Sequence, residues 1–233
     1  MTREPGKQMR EKDTTGPARR PKVGLHQRNR DRRTRMILKV AATMFRERGY
    51  DAARIEDIAE RAEVSPGTVY TYFKTKENIL LSILALHRES SIERRLRIVQ
   101  SPPDDLTEAF VRYERALLTD ATHYLDRDLW RRVTAAGIMA TSSKIGGRSV
   151  MIDRLANRER LQILETLRER GLLPRGFAVE QVAEILRAVS YHVWIRFLRG
   201  ELRSLALAKR AIARNVEFVL GRQAVAQARA RAA

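Results

Sequence analysis

The chain has 233 residues, 43% of them hydrophobic and 6% aromatic, with a formal net charge of +18 at pH 7. It contains no cysteine, which excludes disulfides, thiolate metal sites and thiol catalysis. No apolar run approaches the ~18 residues of a transmembrane helix, and the opening Met1-Thr-Arg-Glu-Pro-Gly-Lys lacks the apolar centre of a secretory signal, so no membrane partner and a cytoplasmic location are expected.

Residues 1–35 carry twelve Lys or Arg and four acids, so +8 of the charge sits in this short stretch. Such a segment favours a polyanion partner and salt-dependent binding. Residues 1–30 mix these charges with Pro5, Gly6, Gly16, Pro17, Pro21 and Gly24 and show no apolar period. They read as a disordered basic arm, which either enters a minor groove or remains a solvated tail. A first helix is expected from about Asp31 to Arg48, burying Ile37, Val40, Ala41, Met44 and Phe45, with Gly49 ending it.

Residues 54–76 then read as a helix-turn-helix. Ile55, Ile58, Ala59 and Ala62 recur at helical spacing and define one short buried face. The second helix starts after Ser65, whose hydroxyl can accept a free amide hydrogen of the first turn, while Pro66 suits a first helical position because it has no N–H to leave unpaired. Val69 and Phe73 point inward, leaving Gly67, Thr68, Thr71 and Tyr72 outward with Tyr70 at the edge. Two helices crossing steeply at a tight turn are the unit that lays a recognition helix in the major groove.

Ile37, Leu38, Ala41, Ala42, Phe45, Gly49, Tyr50, Asp57, Ile58, Ala59, Val64, Ser65, Gly67, Thr68, Tyr70, Tyr72, Phe73, Lys76 and Glu77 all stand in the register of one family. Over roughly residues 32–90 the chain resembles the N-terminal domain of TetR-family transcriptional regulators. The resemblance implies that Ser65 caps the reading helix and touches phosphate, and that Gly67 admits the DNA backbone closely. It implies further that Thr68, Thr71 and Tyr72 meet base edges or thymine methyls, and that Tyr70 and Lys76 meet phosphates. Hydroxyls and an ammonium suit those roles. Two departures stand out. Arg54 replaces a frequent threonine; it cannot cap the helix but can hold a phosphate. Pro66 replaces a frequent basic residue at the first reading position.

Beyond Lys76 a longer helix carries Ile79, Leu80, Ile83, Leu84 and Leu86, turns polar at Glu89–Arg95 and stops by Ser101-Pro102-Pro103, connecting the DNA-reading domain to the rest. Asp104 or Asp105 caps the next helix, and Asp126 or Asp128 opens another, which Gly146-Gly147 is expected to break. A strongly charged helix follows over about 150–170. Helices over Val179–Arg199 and about 203–220 complete an all-α fold of about nine helices, with no strand alternation and no repeat. The expected division is an arm at 1–30, a DNA-binding domain at 31–91, an effector-binding and dimerisation domain at 92–222 and a tail at 223–233.

The apolar stripes of the last two helices (Val182, Leu186, Val189 and Val193; Leu205, Ile212, Val216 and Val219) either close the subunit's own core or pair with a second copy. By the resemblance they pair, since a reader of a near-palindromic operator needs two-fold symmetry. The resemblance also implies an effector pocket, for which Phe110, Tyr113, His123, Trp130, Met139, Tyr191 and Trp194 are candidates, although such residues also fill plain cores. A small apolar or amphipathic effector is expected, with an anionic group favoured by the overall positive charge.

Catalytic residues, a metal site and a cofactor are not expected. His26, His87, His123 and His192 are scattered, no phosphate-binding glycine loop follows a strand, and Ser142 and Ser143 lack a nucleophile elbow. The leading reading is a repressor of transcription released from double-stranded DNA by an effector. An architectural DNA binder without an effector is the alternative, and an enzyme comes third. An apolar cavity in residues 104–200 discriminates the first two.

Overall fold

The computed structural model describes residues 24–140 and 142–232 of the chain. Among the described residues it holds nine α-helices and no strand: α1 (Leu25–Arg48), α2 (Ile55–Arg61), α3 (Pro66–Phe73), α4 (Lys76–Gln100), α5 (Leu106–Tyr124), α6 (Arg127–Met139), α7 (Lys144–Glu169), α8 (Val179–Arg199) and α9 (Leu205–Ala232). Most of the expected arm lies outside the described residues.

Helices α1 to α3 close around Ile37, Ala41, Phe45, Ile58, Ala59, Val69 and Phe73, and the first half of α4 covers them with Ile79, Leu80, Ile83 and Leu84. Burying each of the larger of these side chains contributes about 1.5–3 kcal/mol. Helices α5 to α9 form the second layer: α5 packs on α4 and α9, α7 on α4, α6 and α8, and α8 on α9. Short polar side chains set the helix starts. Ser65 accepts from Thr68 N, Thr75 from Asn78 N, Asp105 from Glu108 N, Asp126 from Leu129 N and Ser143 from Gly146 N. Each such cap supplies a partner to an amide hydrogen that the helix itself leaves free.

Three boundaries differ from the sequence reading. Helix α1 begins at Leu25, six residues before the expected Asp31. Residues 27–33 are all exposed, so an apolar period could not mark them, but nothing between Leu25 and Arg48 interrupts a helix and Gln27 Nε2 donates to Asp31 Oδ1 one turn on, at 2.8 Å. Helix α7 runs straight through Gly146-Gly147 rather than starting after them. A Cβ on Gly146 would overlap the carbonyl oxygens of Ala140 and Ala136, so this glycine admits the C-terminal end of α6 and is no helix breaker. Helix α9 continues to Ala232, past the expected end near 220.

Candidate nucleic-acid interface and effector cavity

The turn between α2 and α3 is held by Val64 N donating to Ala59 O at 3.0 Å, with Glu63 in the left-handed region at φ 54°. It leaves Ser65, Pro66, Gly67, Tyr70 and Thr71 exposed and Thr68 and Tyr72 half-buried on one side of α3. The Ser65 and Thr68 hydroxyls lie 2.9 Å apart, and Thr71 Oγ1 donates to Gly67 O at 2.8 Å. A Cβ on Gly67 would meet nothing closer than Ser65 Oγ at 3.9 Å, so nothing within the chain requires glycine there. The Arg30 guanidinium of α1 lies 5.7 Å from the centre of the Tyr72 ring, which brings the basic start of α1 beside the outward face of α3.

For Lys76 and Tyr70 the geometry opposes the expected phosphate contact, and for Arg54 it does not. Lys76 Nζ donates to Tyr50 O at 2.7 Å, Asp51 O at 3.0 Å and Ala53 O at 3.0 Å, and sits 4.7 Å over the Tyr50 ring. An ammonium has three N–H groups, so all are taken and Lys76 clamps the loop between α1 and α2 rather than waiting for a phosphate. The Tyr70 hydroxyl donates to Glu56 Oε1 at 3.1 Å, and this bond to a carboxylate raises its pKa. A phosphate at Tyr70 would have to displace Glu56. Arg54 lies within 3.6 Å of Glu56, makes no cap bond to α2 and is exposed. Lys76→Ala should lower unfolding stability by on the order of 1 kcal/mol through loss of three charge-assisted bonds, measured by denaturant titration. An unchanged midpoint with weakened binding to all duplexes would restore the phosphate role.

The effector candidates divide. A cavity of about 130 Å³ lies among α5, α6, α7, α8 and α9, and Trp130, Tyr191 and Trp194 line it. That is about ten times what one water needs, roughly 10–15 Å³. The two tryptophan rings stand edge to face, 5.4 Å apart at 84°, and Trp194 also stacks on Phe197 at 5.8 Å. Met139 does not line the cavity; it is 86% exposed at the end of α6. His123 is on the surface. Phe110 and Tyr113 are buried and do not line it: the Tyr113 hydroxyl donates to Ala156 O at 3.0 Å or Glu159 Oε2 at 2.9 Å, and burial raises its pKa well above the usual value.

The cavity's charged groups escaped the sequence reading. Arg160 of α7 is 2% exposed and grips Glu114 of α5 through Nε at 2.7 Å and Nη2 at 3.2 Å. Burial opposes the guanidinium's charge, but Glu114 and Tyr113 beside it more than offset this and raise its pKa. Arg187 of α8 bonds Asp153 of α7 at 3.0 Å at the more open side. A charged helix reads as a solvated surface, and only the register of Arg160 with Ala156, Ile163 and Leu167 hinted that it points inward. Next to this site Arg95 of α4 is held by Glu159 at 2.6 Å and Asp120 at 2.9 Å. Among the described residues no three His, Asp or Glu side chains converge on a metal position, and no helix is long and apolar enough to cross a membrane.

The expected dimer stripe is corrected as well. Val182, Leu186, Val193, Ile212 and Val216 are fully buried inside the subunit, while Val189, Leu205 and Val219 pack partly against the same core. The five buried ones cannot also meet a second copy. Among the described residues, Ile185 and Tyr191 on α8 and Leu207 and Phe218 on α9 are large hydrophobic side chains with much of their surface exposed. Leu207 and Phe218 are eleven residues apart, which is close to three helical turns and puts them on one face.

A family profile described as bacterial regulatory proteins, tetR family, matches residues 37–83, from the middle of α1 into α4. Over these residues the chain matches the DNA-binding domain of that family. Among curated relatives, the fatty acid metabolism regulator protein of Bacillus subtilis is 30% identical over 88 residues, 38% of this chain and 42% of the relative. The chain thus spans less than half the length of the curated relatives it matches. Two solved structures follow the chain much further. A transcriptional regulator from Saccharomonospora viridis, in complex with choline, has a TM-score of 0.64 at 24% identity and covers 80% of this chain and 96% of that one. The Thermus thermophilus repressor FadR, in complex with lauroyl-CoA, has a TM-score of 0.55 at 22% identity over 80% of this chain and 93% of that one. At such identities the likeness carries the TetR fold alone.

Proposed function

We propose that the protein is a dimeric, sequence-specific DNA-binding regulator of transcription, acting as a repressor that a small molecule releases from its operator. The observation that carries this reading is the pairing of an open recognition face on α3 with an apolar cavity in the second layer. An architectural binder needs the first and has no use for the second. The α3 face offers small hydroxyls, an aromatic and an unhindered glycine, and α1 supplies arginines beside it. Double-stranded DNA with a near-palindromic site is the partner that chemistry suits. Two proteins of like fold are known in complex with choline or lauroyl-CoA, which supports a small apolar or amphipathic effector.

The test selects duplexes from a random pool with the full chain, then titrates the selected and a scrambled duplex at fixed salt. Specific binding should exceed non-specific binding by roughly 10³-fold or more. Equal binding of both duplexes would favour the architectural reading. Two-fold pairing is tested separately. Phe218, 62% exposed, and Ile185 form the apolar surface proposed for the second copy. Phe218→Glu should raise the dimer dissociation constant at least tenfold in sedimentation equilibrium, because it sets two like charges across an isologous contact. Ile212→Glu, by contrast, should unfold the subunit, since that side chain is core. A monodisperse wild-type monomer at micromolar concentration would overturn the dimer.

A further inference from the structure

The cavity's charge balance narrows what it can hold. Its lining carries two carboxylates, Glu114 and Asp153, and two guanidiniums, Arg160 and Arg187, and each carboxylate is bonded to one guanidinium. Arg187 also holds Glu184 at 2.6 Å, so neither guanidinium is left without a carboxylate. The rest of the wall is largely hydrocarbon and aromatic, including Leu117, Ile152, Trp130 and Trp194. An anionic ligand would bring its charge beside Glu114 without a free cation to meet it, and a cationic ligand would find both carboxylates spent. An unpaired charge in an apolar cavity is costly.

One buried donor in the lining is nevertheless unspent. Arg160 uses Nε and Nη2 on Glu114, while its buried Nη1 has no hydrogen-bond partner. A guanidinium carries two N–H groups on that nitrogen and can only donate. A buried donor without an acceptor is destabilising, and such an exception in a folded protein commonly marks a place where something else binds. The geometry points to an uncharged, largely apolar ligand with a carbonyl, ether or hydroxyl oxygen that accepts from Arg160 Nη1, rather than the anionic effector that net charge alone favours. This rests on the effector-cavity reading above and adds the chemical class of the ligand to it.

The chain has only two tryptophans and both line the cavity, so intrinsic fluorescence reports entry directly. The probes are octan-2-one, octanoate, octyltrimethylammonium and octane, titrated into the full chain at pH 7.5. Octan-2-one should change the emission at a concentration at least about tenfold below the two charged probes, the discrimination that one charge-assisted hydrogen bond and an avoided unpaired charge supply. It should also bind more tightly than octane. Arg160→Lys, which keeps the charge facing Glu114 but removes Nη1, should erase the preference for the ketone over octane while octane binding persists. Should Arg160→Lys fail to fold, the four-probe series on the natural chain decides alone. Tightest binding by octanoate or octyltrimethylammonium overturns the inference, and so does equal binding of ketone and octane, which would mean that water alone serves Nη1. No emission change with any probe overturns the effector cavity itself and the inference with it.

Discussion

Arg160→Met should be the most damaging single substitution in the second layer, lowering stability by about 3–5 kcal/mol, because it strands a buried carboxylate. Glu114 is 1% exposed and both its oxygens are bonded to Arg160. With the guanidinium gone, that carboxylate keeps its burial and loses its counter-charge. The double variant Glu114→Gln with Arg160→Met should recover much of the loss, since an uncharged amide costs less to bury and replacing both partners of an interior ion pair is often near neutral. Urea denaturation of the wild type, both single variants and the double variant measures the coupling. A loss below about 1 kcal/mol for Arg160→Met would place the pair among surface bridges of little worth and would undo the assignment of a buried, paired charge in the cavity wall.

That pair also shows where sequence reading stops. Local rules located the elements well. The helix over Val179–Arg199 has the bounds expected from its apolar period and from Gly200, which ends it at φ 86°. Ser65 caps α3 as its place before Pro66 implied. Trp130, Tyr191 and Trp194 are where a pocket was expected. The errors share one physical cause: a helical period identifies a buried face but not what buries it. Ile212 and Val216 recur as an interface stripe would, yet α5 and α8 of the same subunit cover α9. Glycine in α7 reads as a breaker until the close carbonyls of α6 are seen beside it. Lys76 reads as a phosphate ligand because nothing local announces three carbonyl oxygens from residues more than twenty positions away. Long-range partners decide each of these, and they are invisible to spacing.

Arg132→Ala should leave the fold and the cavity intact and still weaken communication between them and the DNA-binding domain. Helix α6 presents Trp130 and Thr134 to the cavity. The same helix sends Arg132 across to the loop after α1, where it pairs with Asp51 and lies 4.7 Å over the Tyr50 ring. Lys76 at the start of α4 holds that ring from its own position, also at 4.7 Å. A ligand that displaces Trp130 therefore moves the helix that carries Arg132, and the loop it grips leads directly into α2. Both partners of the ion pair are well exposed, so its contribution to stability is small, on the order of 0–1 kcal/mol. Its contribution to coupling is a separate quantity. Allosteric release typically involves about 1–3 kcal/mol, a 5–150-fold change in operator affinity, and a ligand produces it only by binding the released state better. In Arg132→Ala the ligand-induced loss of operator affinity should fall to less than about threefold, well below that range, while ligand binding to the free protein, read from Trp130 and Trp194, stays unchanged. Operator titrations with and without ligand, paired with the fluorescence titration, separate the two effects. If the variant keeps the full ligand-induced loss, α6 is not the route, and the contacts of Arg95 on α4 with Glu159 and Asp120 carry the signal instead.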